Sequence, residues 1–330
     1  MKKKFSIIVC TILCAVFSAL CLSGCGFFDD GKTDLGTTSE GYKYTYINGG
    51  IGVDEGGIGY MLVEDGGKKE FKIAYPTFHD TTLPLKHILT EIDGLPVTCV
   101  ESLGGMHYVK EIVIPEGITK INGGAFMYNE ALESISLPDS LITLGSAFPY
   151  CKSLKSLTIP KNVTWLGNSI CNGLKALQSV SFPGGIKKVP QQSCQDCVSL
   201  TSVTLGEGIE TIGERAFCFC THLESITLPD SLNVIEKEAF KYCFKLKSIT
   251  FPEKVQEVGE LAFHDCGALE SITINNKTMK MGKNVFLECP NIKIITFNGT
   301  QAEWQAFEEA NSGTTRSVTI RCTDGDIVKK

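Results

Sequence analysis

The chain has 330 residues, of which 43% are hydrophobic and 21% are charged, an ordinary composition for a globular protein. Its formal charge is −6, and removal of the first 24 residues, which contain three lysines and no acid, would take it to −9. An acidic chain without a basic stripe is a poor nucleic-acid binder, so we expect no nucleic-acid partner.

The N-terminus has the layout of an export signal. Residues 2–4 are lysines, and the run from Ser6 to Leu22 is apolar, uncharged and short for a membrane span. It ends in Leu-Ser-Gly-Cys at residues 22–25, which resembles the bacterial lipobox. That resemblance implies a signal peptide at residues 1–24, a diacylglyceryl thioether on Cys25, and a lipid anchor on the outer side of a bacterial membrane. A plain signal peptide and an uncleaved anchor are the alternatives.

Two segments separate this signal from the rest of the chain. Residues 25–41 combine the lipidated cysteine with a small, polar and acidic stretch, which predicts a flexible tether. Residues 42–87 contain alternating, aromatic-rich strand patterns joined by glycine-rich turns, which predicts a small β-rich N-terminal cap. The glycine-rich loop lacks the GxxxxGK[ST] and GxGxxG patterns, so we interpret it as a turn and not as a phosphate site.

Residues 88–299 repeat with a period of 23, which is the sequence mark of a solenoid. We number positions within each unit from its first apolar residue, position 0. In seven of the nine units, apolar residues at positions 3 and 5 alternate with Ser or Thr at positions 2 and 4, which predicts a strand with one buried face. The position-0 residues are Val109, Leu132, Leu154, Leu177, Leu200, Leu223, Leu246, Leu269 and Ile292.

Later in each unit, two further columns of residues predict a stacked core. An aromatic ladder, interrupted at Ile170 and Cys194, comprises Phe126, Phe148, Phe217, Phe240, Phe263 and Phe286. A cysteine ladder, replaced at Asn129 and Gly173, comprises Cys151, Cys197, Cys220, Cys243, Cys266 and Cys289. Coil spacing of ~4.8 Å allows disulfides between neighbours, but equivalent positions without preferred pairs favour buried thiols that fill space.

Two other cysteine features carry less weight. Cys194 and Cys197 have CxxC spacing, but both occupy core positions, so they are weak evidence for zinc or redox chemistry. Cys171 and Cys218 are predicted to lean outward at a variable position.

The C-terminal segment, residues 300–330, departs from the repeat. Thr300 and Glu303 have capping-box spacing, which predicts a helix to about Ala310 that carries Trp304 and Phe307 on one face. Residues 318–322 predict a last strand. We interpret this segment as a helix-strand cap over the last coil.

The unit LxSITLPxSLxxIxxxAFxxC resembles the BspA-like, Treponema-type leucine-rich repeat family over roughly residues 88–307. The resemblance implies an α/β fold: a right-handed, β-rich leucine-rich-repeat solenoid with a parallel concave sheet and short convex strands or helical turns. Members are typically bacterial surface or secreted proteins, several of them implicated in adhesion. It therefore implies a non-catalytic binding or adhesion module for proteins or glycans, with no shared catalytic residues and no cofactor.

The candidate binding residues are the hydroxyls at positions 2 and 4, which the strand pattern places on the concave face. Such an array can hydrogen-bond a polypeptide or a glycan, and it can equally be an ordinary solvated surface flanked by charges that form stacking salt bridges. The central candidates are Ser202, Thr204, Ser225, Thr227, Ser248 and Thr250.

Two other function classes are weaker predictions. A structural subunit that braces another envelope protein would have the same sequence features. An enzyme, such as a hydrolase, is disfavoured because HExxH and GxSxG are absent. His264, Asp265 and Cys266 are consecutive and have the residue types of a catalytic triad. Cys266 is at a core position and His264 at a variable outward one, so we predict that their side chains do not converge. We predict no catalytic and no metal-binding residues.

Overall fold

The computed structural model describes residues 34–37, 43–47, 50–53, 58–65, 67–76, 88–92, 94–311 and 318–329. The predicted signal peptide and Cys25 lie outside the described residues. In the described part of the chain, no helix is both long enough and apolar enough to span a bilayer.

The N-terminal strands form an antiparallel meander that joins the solenoid directly. β1 (Asp34–Thr37), β2 (Lys43–Ile47), β3 (Gly50–Val53), β4 (Ile58–Asp65) and β5 (Lys68–Pro76) pair in sequence order. β5 then pairs in parallel with β7 (Leu95–Val100), to which the short β6 (Glu91–Ile92) is antiparallel. The buried Tyr60 hydroxyl accepts a hydrogen bond from the Leu89 N–H at 2.9 Å, which ties the meander to the first coil.

The body is a β-solenoid of parallel strands, which confirms the predicted architecture. Positions 2 to 5 of the units form a first row: β8 (Glu111–Val113), β10 (Ser134–Ser136), β12 (Ser156–Thr158), β14 (Ser179–Phe182), β16 (Ser202–Leu205), β19 (Ser248–Phe251), β21 (Ser271–Ile274) and β23 (Ile294–Phe297). Positions 11 and 12 form a second row: β9 (Lys120–Ile121), β11 (Thr143–Leu144), β13 (Trp165–Leu166), β15 (Lys188–Val189), β17 (Thr211–Ile212), β18 (Val234–Ile235), β20 (Glu257–Val258) and β22 (Lys280–Met281).

The core between the rows is built from side chains that repeat from coil to coil. Leu223, Ile235, Ala239 and Phe240 are all fully buried. The Phe240 ring stacks between its neighbours in the aromatic ladder, with centroids 5.3 Å from Phe217 and 5.0 Å from Phe263. Each coil thus covers its apolar face only by contact with the next, as expected for a solenoid.

The cysteine ladder is a packing feature that also anchors the turns. In each of these coils the thiol donates a hydrogen bond to a carbonyl of the preceding coil, for example Cys243 to Phe217 and Cys266 to Phe240, both at 3.3 Å. Burial raises the pKa of the Cys151 thiol to about 12. All cysteines in the described residues are free, as the space-filling interpretation predicts.

Asn129 replaces a ladder cysteine and makes the same connection with its amide group. Its Nδ2 donates to the Leu103 carbonyl at 2.9 Å, and its Oδ1 accepts from the Met106 N–H at 2.8 Å. Asn129 is fully buried, so both hydrogen bonds offset the cost of placing an amide in the core.

The structure corrects the predicted alignment of the unit that begins at Leu154. Cys171, not Ile170, occupies the aromatic position. The Cys171 N–H donates to the Ser193 carbonyl at 2.7 Å, just as the N–H of the ladder residue Phe240 donates to the Ala262 carbonyl. Leu174, not Gly173, fills the cysteine position, and Ile170 fills the alanine position. The sequence prediction was wrong because this unit has neither the phenylalanine nor the cysteine that marks these two positions in most other units.

The outward orientation predicted for Cys171 and Cys218 is also wrong, since both are buried. Cys171 belongs to the aromatic column. Cys218 follows Phe217 at a variable position, but its thiol is covered, and burial raises its pKa to about 12.

The predicted strand is missing from one unit. Residues 225–228 have no strand partner among the described residues, and the first row is interrupted between β16 and β19. The second row continues through this coil, with Thr211 paired to Val234 and Val234 to Glu257. Ile226 is therefore half-buried, whereas Ile249 in the next coil is buried. The second row is continuous through this coil, whereas the first row of the described chain keeps there only the hydrogen bond from Lys247 N–H to the Glu224 carbonyl at 3.1 Å.

The C-terminal cap has the predicted form. Helix α1 (Gln301–Ala310) starts at a complete capping box, in which Glu303 N–H donates to the Thr300 hydroxyl at 3.2 Å and the Glu303 carboxylate accepts from Thr300 N–H at 2.8 Å. Trp304 and Phe307 are buried against Phe297. β24 (Thr319–Cys322) extends the first row in parallel, and β25 (Gly325–Val328) closes it as an antiparallel edge strand.

Candidate binding face

The hydroxyl residues at positions 2 and 4 line one surface, which we call the serine-threonine face; they are exposed in most coils and half-buried at Ser179, Ser181, Ser271 and Thr273. Parallel pairing keeps it in register: Ser179 lies opposite Ser202 and Ser181 opposite Thr204, while the β19–β21 pair aligns Thr250 with Thr273. The six predicted site residues are all exposed, namely Ser202, Thr204, Ser225, Thr227, Ser248 and Thr250. Ser225 and Thr227 lie on the segment that lacks strand pairing, so the face is irregular at its middle.

A row of ion pairs at position 1 borders this face, as predicted. Glu133 contacts Lys155 and also Lys110 at 3.4 Å, and hydrogen bonds from these two lysines lower the pKa of the Glu133 carboxyl. Further along, Lys247 binds Glu224 at 2.6 Å and Lys293 binds Glu270 at 3.2 Å. These pairs are exposed, so each contributes little to stability.

The middle of the border is uncharged. Position 1 is Gln178 in one coil and Thr201 in the next. The serine-threonine face is therefore polar and nearly neutral in its central coils, a surface suited to recognition by hydrogen bonds and not by charge.

The residues that looked like a triad do not converge. His264 Nδ1 lies 3.3 Å from Asp265 Oδ2, but the Cys266 thiol is buried and donates inward to the Phe240 carbonyl. Burial raises the Cys266 pKa well above its usual value, which opposes formation of a nucleophilic thiolate.

The CxxC pair is equally inaccessible. Cys194 and Cys197 are fully buried, and burial raises the pKa of Cys194 well above its usual value. Within the described ranges there is no group of three or more His, Cys, Asp or Glu side chains able to hold a metal ion.

One surface was missed by the sequence reasoning. The residue four places before each new unit has positive φ, at position 19 in the 23-residue units and position 18 in the 22-residue unit of Leu132. We call these residues the turn-edge column: Gly105, Tyr128, Tyr150, Gly173, Asp196, Phe219, Tyr242, Asp265 and Glu288. Tyr128 stacks on Tyr150 with centroids 4.7 Å apart, and Phe219 stacks on Tyr242 at 4.3 Å. The signal was available as a second aromatic residue two places after the ladder phenylalanine in several units.

Comparisons with known proteins agree with the architecture. A family model described as the BspA type leucine rich repeat region matches residues 105–224 and 210–323, in 6 copies. This family and fold are generally non-catalytic. No curated protein matches the chain at a significant level.

Two solved structures are similar to the chain. A leucine-rich repeat protein from Bacteroides ovatus is 25% identical over 73% of this chain and 69% of its own length, with a TM-score of 0.53. A leucine-rich repeat protein from Eubacterium ventriosum is 34% identical over 51% of this chain and 46% of its own length, with a TM-score of 0.50.

Proposed function

Because the chain belongs to the BspA-type leucine-rich repeat family, we propose that it is a non-catalytic recognition protein, lipid-anchored through Cys25 on the outer side of a bacterial membrane. Its ligand is a polypeptide or a glycan bound by the serine-threonine face. The observation that carries the proposal is the register of exposed hydroxyls along the first row, bordered by side chains that are already paired or uncharged.

The physical basis is a match between surface and ligand. Each Ser or Thr hydroxyl donates one hydrogen bond and accepts others, and parallel pairing repeats it at the coil spacing. A peptide backbone or a glycan chain likewise presents donors and acceptors at short regular intervals. Recognition is then spread over several coils, so no single hydroxyl is expected to dominate affinity.

The anchor has its own test, in the bacterium that makes the protein. Replacing Cys25 with Ala removes the sulfur that carries the diacylglyceryl group, so the protein should leave the membrane fraction or accumulate as an uncleaved precursor. Cell fractionation and intact-mass measurement check this result, with Cys322→Ala as the control thiol substitution. Normal processing and membrane retention of the Cys25 variant would contradict the lipid anchor.

The binding face is tested by adding bulk and charge to it. The triple variant Thr204→Lys, Thr227→Lys and Thr250→Lys should weaken binding by about tenfold or more, because three long cations cover the hydroxyl columns. The measurement is binding of the full chain to an array of purified surface proteins and glycans, followed by titration of each positive. Thr164→Lys, at an exposed residue outside the first row, is the matched control.

The outcomes separate the alternatives. If the triple variant binds a positive as tightly as the wild type does, the recognition surface is elsewhere. If the only positives are proteins of the same cell envelope, the chain is a structural subunit that braces them.

A further inference from the structure

Two tyrosines of the turn-edge column are placed on the surface against local conformational preference. Tyr128 and Tyr150 have φ of 64° and 63°, a left-handed conformation that is unfavourable for a residue with a Cβ. Gly173 makes the same turn at 72°. The two tyrosines are 45% and 54% exposed, and their rings are nearly parallel, with an interplanar angle of 4°. Neither the turn nor the core requires these rings.

Both ends of this two-ring stack are open. The neighbouring residues in the column are Gly105 and Gly173, and a Cβ built on either glycine would meet nothing within 4 Å. The outer face of Tyr150 is therefore not covered by a side chain of its own column. The second aromatic pair, Phe219 and Tyr242, is not open at its ends in this way, because its column neighbours are Asp196 and Asp265. The Tyr242 ring also contacts His264.

The backbone is unpaired at the same place. In the column the N–H donates to a carbonyl of the next coil, for example Tyr128 to Pro149 at 3.0 Å and Gly173 to Gln195 at 2.8 Å. Among the described residues, Tyr150 N–H and the Asn172 carbonyl make no such bond to each other. β10 and β12, the first-row strands of the same two coils, are likewise not paired with each other, since β10 pairs with β8 and β12 with β14.

The cause of this opening is visible in the sequence. Leu132 and Leu154 are separated by 22 residues, where the other units have 23. The missing residue lies between Gly145 and Ala147. The turn that follows is hydrogen-bonded to the preceding coil, for example from Phe126 N–H to the Ala147 carbonyl, but among the described residues its backbone is not hydrogen-bonded to the next coil.

We call the space over the outer face of Tyr150 the slot: Gly173 of the next coil places no side chain there, and the Tyr150 N–H and the Asn172 carbonyl beside it are not paired with each other. The groups that border the slot indicate which kind of ligand it can bind. A flat apolar ring face accepts the C–H face of a cyclic group, and isolated N–H and C=O groups pair with neighbouring hydroxyls. The adjacent cation, Lys152, is paired with Glu130 at 3.0 Å, which leaves little charge to attract an anion. A pyranose ring without an ionised group meets all three conditions.

We propose that the slot between Tyr150 and Gly173 binds a neutral sugar unit of a glycan, with the sugar stacked on the outer face of Tyr150. The site lies on the turn edge of the solenoid, and it does not depend on the serine-threonine face.

The experiment uses the full chain in detergent and titrates it with cellotetraose, maltotetraose, mannotetraose and a proline-rich decapeptide. Binding is followed by saturation-transfer NMR, with the tyrosine signals as the protein readout. At least one oligosaccharide should bind. Tyr150→Ala removes the stacking face and should weaken that binding by about tenfold. Gly173→Tyr should weaken it at least as much, because it extends the ring stack into the slot.

Two controls distinguish loss of the slot from a general loss of structure. Phe219→Ala disrupts the other aromatic pair of the same column and should leave oligosaccharide binding unchanged. Thermal unfolding by circular dichroism verifies that each variant folds, and Tyr150→Ala alone suffices if Gly173→Tyr does not. The proposal is overturned if no oligosaccharide binds, if only the peptide binds, or if the folded slot variants bind as the wild type does.

Discussion

Replacing Phe240 with Ala should lower the free energy of unfolding by about 3–5 kcal/mol, because it removes a fully buried ring and leaves a cavity between two coils. The loss extends beyond one unit. Phe240 touches Phe217 on one side and Phe263 on the other, so both stacked contacts disappear together. Urea unfolding followed by circular dichroism measures the change.

The matched control is Phe244→Ala, in the same coil. Its ring is 45% exposed, so its truncation should change stability by less than about 1 kcal/mol. Amide exchange resolves where the coils loosen in the Phe240 variant. Faster exchange should appear at Phe217 N–H, which donates to the Ala239 carbonyl at 2.8 Å, and at Phe240 N–H, which donates to Ala262 at 2.7 Å. Equal destabilisation by the two substitutions would contradict a stacked core.

This dependence on stacking explains why the architecture could be predicted from the sequence. A period of 23 residues repeats the same inward positions, so Leu223 and Ile249 could be placed in the core before any contact was known. The capping box at Thr300 and the aromatic lid of Trp304 and Phe307 likewise follow from local rules. In each case the signal depends on residues close together in the chain or separated by a whole number of units.

The features that were missed depend on how two particular coils meet. The period does not reveal that residues 225–228 lack strand partners, because their SITL sequence is as suitable for a strand as Ser248–Phe251 is. The left-handed turn at Tyr150 was missed for a similar reason, since tyrosine carries no preference for that conformation. Cys171 was misplaced because its unit lacks both the ladder phenylalanine and the ladder cysteine that align the other units.

The candidate sites also comprise one part that the sequence predicts and one part that it does not. Exposure of Thr204 and Thr250 follows from alternation along a strand, and so does their alignment with hydroxyls of the next coil. The slot beside Tyr150 does not, because it arises where a unit is one residue short and hydrogen bonds between coils are lost. A shortened unit in such a solenoid is therefore a place to look for a ligand.

A second large effect is expected where two coils approach with no side chain between them. Gly184, Gly206 and Gly208 meet backbone to backbone: a Cβ on Gly208 would lie 2.5 Å from the Gly184 carbonyl oxygen, and one on Gly206 would lie 2.9 Å from Pro183 C. Gly206 stands where most units have proline, and this close approach explains why glycine replaces proline there.

Gly184→Ala should therefore cost about 3 kcal/mol of folding free energy. Its new Cβ would overlap the Glu207 carbonyl oxygen and lie 2.8 Å from Glu207 C, and a backbone carbonyl cannot rotate away as a side chain can. Urea unfolding gives the loss. Amide exchange at Gly206, whose N–H donates to the Phe182 carbonyl at 2.9 Å, should show the coils moving apart.

Gly267→Ala is the comparison that isolates the steric cause. The nearest atom to its added Cβ would be the Phe244 carbonyl oxygen at 4.0 Å, an ordinary contact. Both substitutions restrict the unfolded chain equally, which by itself stabilises a protein by about 0.4–1 kcal/mol. The difference between the two variants then measures the overlap alone. If Gly184→Ala were as stable as Gly267→Ala, the coils would have room to part there, and close backbone packing would not explain the glycine cluster.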